Sequence, residues 1–208
     1  MVEIKDIEPD SIANELGIEP GDTIISINDK PINDYIDYQY QTSDNYFVLT
    51  VKKDNILWDY KIEKNLDENL GIKFDKIIFD KLKLCQNNCI FCFIDQLPPG
   101  LRKSLNQKDD DYRFSFLQGS FITLTNINQN EMDRIINLKL SPLNISVHTT
   151  RPELRQKMLR NPEAGNIISN LKKLAQGGIK FNAQVVLCPG INDNNELDRT
   201  IRDLKQLY

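Results

Sequence analysis

Three of the chain's four cysteines fall within eight residues, Cys85-Gln86-Asn87-Asn88-Cys89-Ile90-Phe91-Cys92, at a C-x3-C-x2-C spacing. Packing accounts poorly for that grouping. Thiolates bind soft metals, and three on one short loop can converge on a single iron–sulfur cluster or a zinc ion. Usual cluster cradles supply four cysteines, so a trio leaves one iron without a protein ligand, open to a substrate or cofactor. The fourth cysteine, Cys188, lies far along the chain.

Charge divides the chain on either side of residue 76. Residues 1–76 hold 8 Lys against 17 Asp and Glu, a net of −9, whereas residues 77–208 hold 18 Lys and Arg against 13 Asp and Glu, a net of +5. Two domains are expected, 1–75 and 76–208. The acidic part opposes phosphate binding, and the mildly basic part permits an anionic substrate without requiring one, so nucleic acid is not indicated. A content of 40% hydrophobic and 27% charged residues is that of a globular chain. The start, Met1-Val2-Glu3-Ile4-Lys5-Asp6, lacks the basic and apolar regions of a signal peptide, and no run approaches the roughly 18 apolar residues of a membrane span. The cytoplasm is the expected compartment, where thiols stay reduced and clustered cysteines are ligands rather than disulfides.

Residues 1–65 read as a small β-rich domain with one short helix, capped by Asp10 or Ser11 and stopped by Gly17. Ile24–Ile27 reads as a strand, and Tyr46–Val51 and Ile56–Ile62 as a hairpin across Lys53-Asp54-Asn55. The phrase Ser11-x-Ala13-x-x-Leu16-Gly17-Ile18-x-Pro20-Gly21-Asp22-x-Ile24-x-x-Ile27-Asn28 resembles bacterial PDZ domains, which take an extended peptide end as an added strand. That resemblance implies a loop for the peptide carboxylate. Leu70-Gly71-Ile72-Lys73-Phe74 can supply it from the other end of a permuted domain, or Gly71 can merely turn a linker.

From residue 77 strands alternate with helices. Strands are expected at Ile77–Leu84, Phe121–Asn126, Leu143–Thr149 and Lys180–Cys188. Asn128 with Glu131 and Thr150 with Glu153 are capping-box patterns, Pro162 opens a helix that Gly177-Gly178 ends, and Leu197, Ile201 and Leu204 mark a last amphipathic helix. The pattern implies parallel βα units with sites at the carboxyl ends of the strands. Alternation puts Thr123 and Thr125 on one face of the second strand, Asn144, Ser146 and His148 on one face of the third, and Asn182, Gln184 and Cys188 on one face of the fourth. Ile145, Val147, Phe181, Val185 and Leu187 take the opposite faces, suited to packing beneath helices. Three polar faces suggest a lined cavity. Asp109-Asp110-Asp111 can bind a divalent cation or be a solvated run paired with neighbouring Arg and Lys. His148, the sole histidine, can bind a ligand, move a proton or be a satisfied semi-buried side chain. Cys188 can be a second-site ligand, a radical-quenching thiol or packing.

With Phe91 as its aromatic, C-x3-C-x-aromatic-C resembles the signature loop of the radical S-adenosylmethionine (SAM) enzymes. The resemblance implies a [4Fe-4S] cluster on Cys85, Cys89 and Cys92, with SAM on the fourth iron. It also implies Phe91 near the adenine, and Thr125, Ser146 and Gln184 as polar groups that reach SAM. An electron donor such as ferredoxin or flavodoxin is implied as a partner. Asp95-Gln96-x-Pro98-x-Gly100-x-Arg102, Ile145-Ser146-Val147-His148 and Cys188-Pro189-Gly190-Ile191-Asn192-Asp193 extend the likeness to a bacterial group of PDZ-bearing radical SAM proteins with a further C-terminal domain. Leu117-Gln118-Gly119-Ser120 stands where the family's Gly-Gly-Glu-like motif holds the SAM amino group. The expected fold is α/β, a PDZ-like domain followed by a partial radical SAM barrel of about four parallel strands. The family's six units make a truncated, N-terminal portion the expectation. The competing classes are a metal-stabilised electron carrier and a PDZ-mediated adaptor without radical chemistry.

Overall fold

The computed structural model describes residues 1–207, apart from the side chain of Lys103. It contains two compact units, Met1–Leu82 and the chain from Lys83 on. In the first, the elements are β1 (Val2–Glu3), β2 (Asp6–Ile7), α1 (Ile12–Glu15), β3 (Thr23–Ile27), β4 (Lys30–Pro31), α2 (Tyr35–Gln41), β5 (Tyr46–Lys53), β6 (Ile56–Glu63) and β7 (Ile72–Lys73). The main sheet runs β1-β3-β5-β6, with β4 on β3, and β2 pairs separately with β7. Asp54 and Asn55, left-handed at φ 49° and 65°, join β5 to β6. Two such residues give a turn whose twist matches that of the strands. Alternation then sends Phe47, Leu49 and Val51 of β5 and Ile62 of β6 into the core with Ile24 and Ile27.

Ser11 caps α1 by accepting from the Asn14 N–H at 3.3 Å. The sequence reading missed α2, where Asp34 accepts from the Asp37 N–H at 2.9 Å and Ile36 and Tyr38 turn inward. Its tyrosines read as strand formers, but the cap and the inward pair carry the local choice. β6 forms one edge of the main sheet, and Ile56, Leu57 and Trp58 on it are each more than half exposed.

Gly71 is no linker turn. It sits at φ +75°, its carbonyl accepts from the Glu8 N–H, and a Cβ there would lie 2.3 Å from the Ser11 Cβ. Leu70-Gly71-Ile72 is thus built into the first unit, beside α1 and paired with β2 through Ile7 and Ile72.

The second unit contains α3 (Tyr112–Gln118), β8 (Phe121–Ile122), α4 (Gln129–Asn137), β9 (Leu143–Ser146), α5 (Pro152–Leu159), a 3-10 turn (Pro162–Asn166), α6 (Ile167–Gln176), β10 (Phe181–Gln184) and α7 (Asn194–Lys205). Its parallel sheet runs β10-β9-β8, three strands where four were expected. Residues 77–84 form no strand and make only isolated bridges, Ile78 to Asp34 and Leu84 to Asp109. The other strands stop early because the chain turns left-handed just beyond them, at Leu124 (φ 59°) and His148 (φ 65°). β10 ends at Gln184, so the alternation does not reach Leu187, which is 52% exposed rather than packed beneath a helix. Leu143, Ile145 and Val147 are fully buried, with Met132, Ile135, Leu171 and Leu174 of α4 and α6 also in the core.

The capping box at Asn128 and Glu131 forms completely. The one at Thr150 and Glu153 does not, because the Thr150 hydroxyl donates to Asp203 at 2.6 Å and α5 starts without a side-chain cap.

Gly71→Ala combines a left-handed φ with a clash on Ser11, and should destabilise the first unit by about 2 kcal/mol or more. Gly17→Ala, at φ +70° with open space around it, should cost about 1 kcal/mol. Urea unfolding of both variants measures the difference, and equal losses would show that the Ser11 approach carries no energy.

Candidate functional site

The cysteine loop is held at three places. At its start, the Cys85 N–H donates to Lys108 O and the Asp110 N–H to Lys83 O, a short antiparallel clasp around the Leu84–Asp109 bridge. In the middle, the N–H groups of Asn88 and Ile90 donate to Leu159 O and Met158 O, the last carbonyls of α5. A helix leaves such carbonyls without internal partners, and the loop supplies them. Beneath the loop lies the Asn87 side chain, 6% exposed, whose Nδ2 donates to Thr123 Oγ1 (2.9 Å) and lies 3.4 Å from Cys85 Sγ. Its Oδ1 accepts from Thr125 Oγ1 at 3.2 Å and Asn161 Nδ2 at 2.7 Å. One amide therefore joins the loop to the end of β8 and to the turn after α5.

All four cysteines are unpaired and partly exposed. Burial, then the neighbouring sulfurs of Cys85 and Cys92, pushes the Cys89 thiol up to about 12, and burial also raises Cys85. Deprotonating Cys89 is thus opposed by its neighbours, and a bound cation would relieve that opposition. Among the described residues no three His, Cys, Asp or Glu side chains gather closely enough to hold a single ion. Three cysteine thiols on one short loop are a donor set that fits an iron–sulfur cluster or a zinc ion.

Phe91 meets His148 with ring centroids 4.5 Å apart, a contact between the loop and the end of β9. His148 Nδ1 accepts from the Val186 N–H at 3.2 Å, which leaves the ring proton on Nε2. Burial, then the nearby Arg155 charge, lowers His148 to about 3. It is a neutral donor, unsuited to proton transfer near pH 7. Ser146 donates to Gln184 Oε1 at 3.2 Å, and Asn182 to Asn144 Oδ1 at 2.9 Å, so the polar faces anticipated on β9 and β10 pair with each other. Thr125 is engaged with Asn87 and with Thr123 Oγ1 at 2.9 Å. Cys188 packs against Met158, Leu159 and Ala164, the same cluster that Cys89 and Phe91 cover, and burial raises its thiol.

Two aspartates of the acidic run are buried rather than solvated, and Asp111 pairs with the neighbouring Arg113 as anticipated. Asp110 is 3% exposed and accepts from the Thr123 N–H and hydroxyl, with burial raising its carboxyl. Asp111 is fully buried; burial alone would raise it, but the fork of Arg113 and the Lys83 N–H pull its carboxyl below the usual range. Leu117-Gln118-Gly119-Ser120 lies before β8, where Gly119 is the left-handed cap of α3. The carboxyl end of β8 instead carries Thr123-Leu124-Thr125-Asn126.

The sequence reading missed Asn87, Asn161 and Arg155. Arg155 is 1% exposed and donates to Val147 O, Ala164 O, Thr123 O and Ser146 O at 2.7–2.9 Å. Its i, i+3, i+4 spacing with the buried Met158 and Leu159 was the available signal.

A family model for a Radical SAM-like domain matches residues 64–208. The chain belongs to the radical SAM-like family. A PDZ domain model matches residues 3–50, so this radical SAM-like protein joins the two modules in the anticipated order. No curated protein matches it. No helix among the described residues is long and apolar enough to cross a membrane.

His148 gives this radical SAM-like chain a pH signature. It titrates near 6.5 when unfolded and about 3 when folded, so between those values only the unfolded chain takes the proton. The contribution is complete above about pH 6.5 and is lost as pH falls, at about 1.4 kcal/mol per unit. Urea midpoints should therefore drop more steeply for the wild type than for His148→Gln as the pH is lowered from about 6.5 to about 5. Parallel slopes would mean that His148 can be protonated in the folded state.

Proposed function

We propose that Cys85, Cys89 and Cys92 hold one [4Fe-4S] cluster, that SAM binds beside it at the carboxyl ends of β8, β9 and β10, and that the protein is a radical SAM enzyme. The observation that carries the reading is the loop itself, whose three thiols are carried on a backbone fixed by α5 and Asn87. When bound, such a cluster supplies the electron that breaks a carbon–sulfur bond of SAM, giving methionine and a 5′-deoxyadenosyl radical. The chain's own residues orient and bind. Phe91, braced by the tilted His148 ring, offers an apolar face for adenine. Ser146 and Gln184 offer a hydroxyl and an amide that can turn from each other to a ligand. Thr125 acts through Asn87, steadying the loop. A ferredoxin or flavodoxin is the proposed electron donor, and the cytoplasm the proposed compartment.

Anaerobic reconstitution with iron and sulfide tests the reading, with a cluster spectrum that changes on adding SAM as the expected result. Ser in place of Cys85, Cys89 or Cys92 should abolish the cluster, while Cys188→Ser should leave iron content and spectrum unchanged. The packing of Cys188 on the same apolar cluster as Cys89 favours one second reading, a four-ligand electron carrier. Loss of the cluster in Cys188→Ser would support that carrier. Ser146→Val and Gln184→Leu should each weaken SAM binding about tenfold, as lost polar partners commonly do. Unchanged SAM titrations in both would remove these residues from the site.

The PDZ unit is proposed to bind a peptide or protein C-terminus by strand addition. Its net −9 over residues 1–76 opposes phosphate. Titration of the protein with C-terminal peptides and with RNA should yield peptide binding alone; RNA binding without a peptide hit would overturn this role.

A further inference from the structure

We infer that Arg155 is the fixed counter-charge of the cysteine loop and holds the reduction potential of its cluster up. The inference rests on the cluster proposed above. Arg155 lies in α5 and is 1% exposed, and its four hydrogen bonds all go to backbone carbonyls. Among the described residues it forms no ion pair. Carbonyl dipoles satisfy its N–H groups without cancelling its charge, and an uncancelled buried charge is costly unless an anion lies near. Asp110 is within electrostatic reach of it and is its first counter-charge, with both oxygens also held by Thr123.

The second group within reach is Cys89, which becomes an anion once it ligates the proposed cluster. The residues flanking Cys89 hang from Met158 and Leu159, less than a turn and a half beyond Arg155 in the same helix. Cys89 also packs against Met158, Leu159 and Ala164, and the Ala164 carbonyl accepts from Arg155 Nη1 at 2.7 Å. The guanidinium is thus built into the floor on which that thiolate rests.

Three thiolates outweigh the positive charge of a four-iron core, so the assembly is anionic and reduction adds one further electron. A fixed cation in a region of low dielectric stabilises the more negative, reduced state more than the oxidised one. Here that makes the cluster easier to reduce. The apolar cover from Met158, Leu159 and Phe91 keeps water from screening the effect.

The experiment is a redox titration, followed by electron paramagnetic resonance, of the reconstituted clusters of the full chain. Wild type is compared with Arg155→Gln and Arg155→Lys, with iron content and thermal melting measured alongside. Arg155→Gln should shift the reduction equilibrium at least tenfold toward the oxidised form, a potential lower by about 59 mV for one electron. Arg155→Lys keeps the charge but loses the fork, and should stay within about threefold of wild type. Equal shifts in both variants, or none in Arg155→Gln, would overturn the inference, since a purely bracing role depends on the fork and not on the charge. If Arg155→Gln does not fold, Asp110→Asn reads the same field. It removes a negative charge facing both Arg155 and Cys85, and its potential should rise; a fall or no change there overturns the inference. A wild-type protein that takes up no cluster would instead overturn the proposed enzyme, which keeps the two failures apart.

Discussion

Four backbone carbonyls converge on one guanidinium. Those of Thr123, Ser146 and Val147 stand at the carboxyl ends of neighbouring parallel strands, and that of Ala164 lies in the turn after α5. Once the strands diverge, such groups have no partner in the ladder, and water or a side chain must satisfy them. Arg155 does so from below while the apolar core ends beside it. The end of the sheet that carries the cysteine loop is therefore tied by charge-assisted hydrogen bonds, each stronger than a neutral one, and a change there reaches β8, β9 and α5 together.

Asn87 is a second tie of the same kind, drawing on both ends of its amide. Together the two side chains fix the loop from beneath and from the side. Phe91 then closes against His148, whose left-handed backbone ends β9 and turns the chain toward α5. The cysteines themselves add little to this rigidity, because their sulfurs stay partly exposed.

Much of the framework was legible because periodicity and caps are local. The shared faces of Asn144 and Ser146 and of Asn182 and Gln184 followed from alternation, and the Asn128 box from four residues. What failed was decided by distant partners. Thr150 and Glu153 carry the same signature as Asn128 and Glu131, yet Asp203 of α7 takes the threonine hydroxyl. Three consecutive aspartates looked like a solvent-facing run, but Thr123 and Arg113 accept two of them into the interior. The stretch before the loop has a strand's composition but pairs only at single points. Of the site, the cysteines and the Phe91–His148 end were visible in the sequence; Arg155 was not, since an arginine in an amphipathic helix ordinarily faces water.

Because the amides of Asn88 and Ile90 serve as the missing last turn of α5, the loop is in effect a helix terminator that happens to carry sulfur. Its backbone is ordered by the helix rather than by whatever the sulfurs bind. A metal loop that must fold around its ion loses conformational entropy at the moment of capture. A loop whose backbone is already held by Met158 and Leu159 would lose less of that entropy on binding a group through its sulfurs.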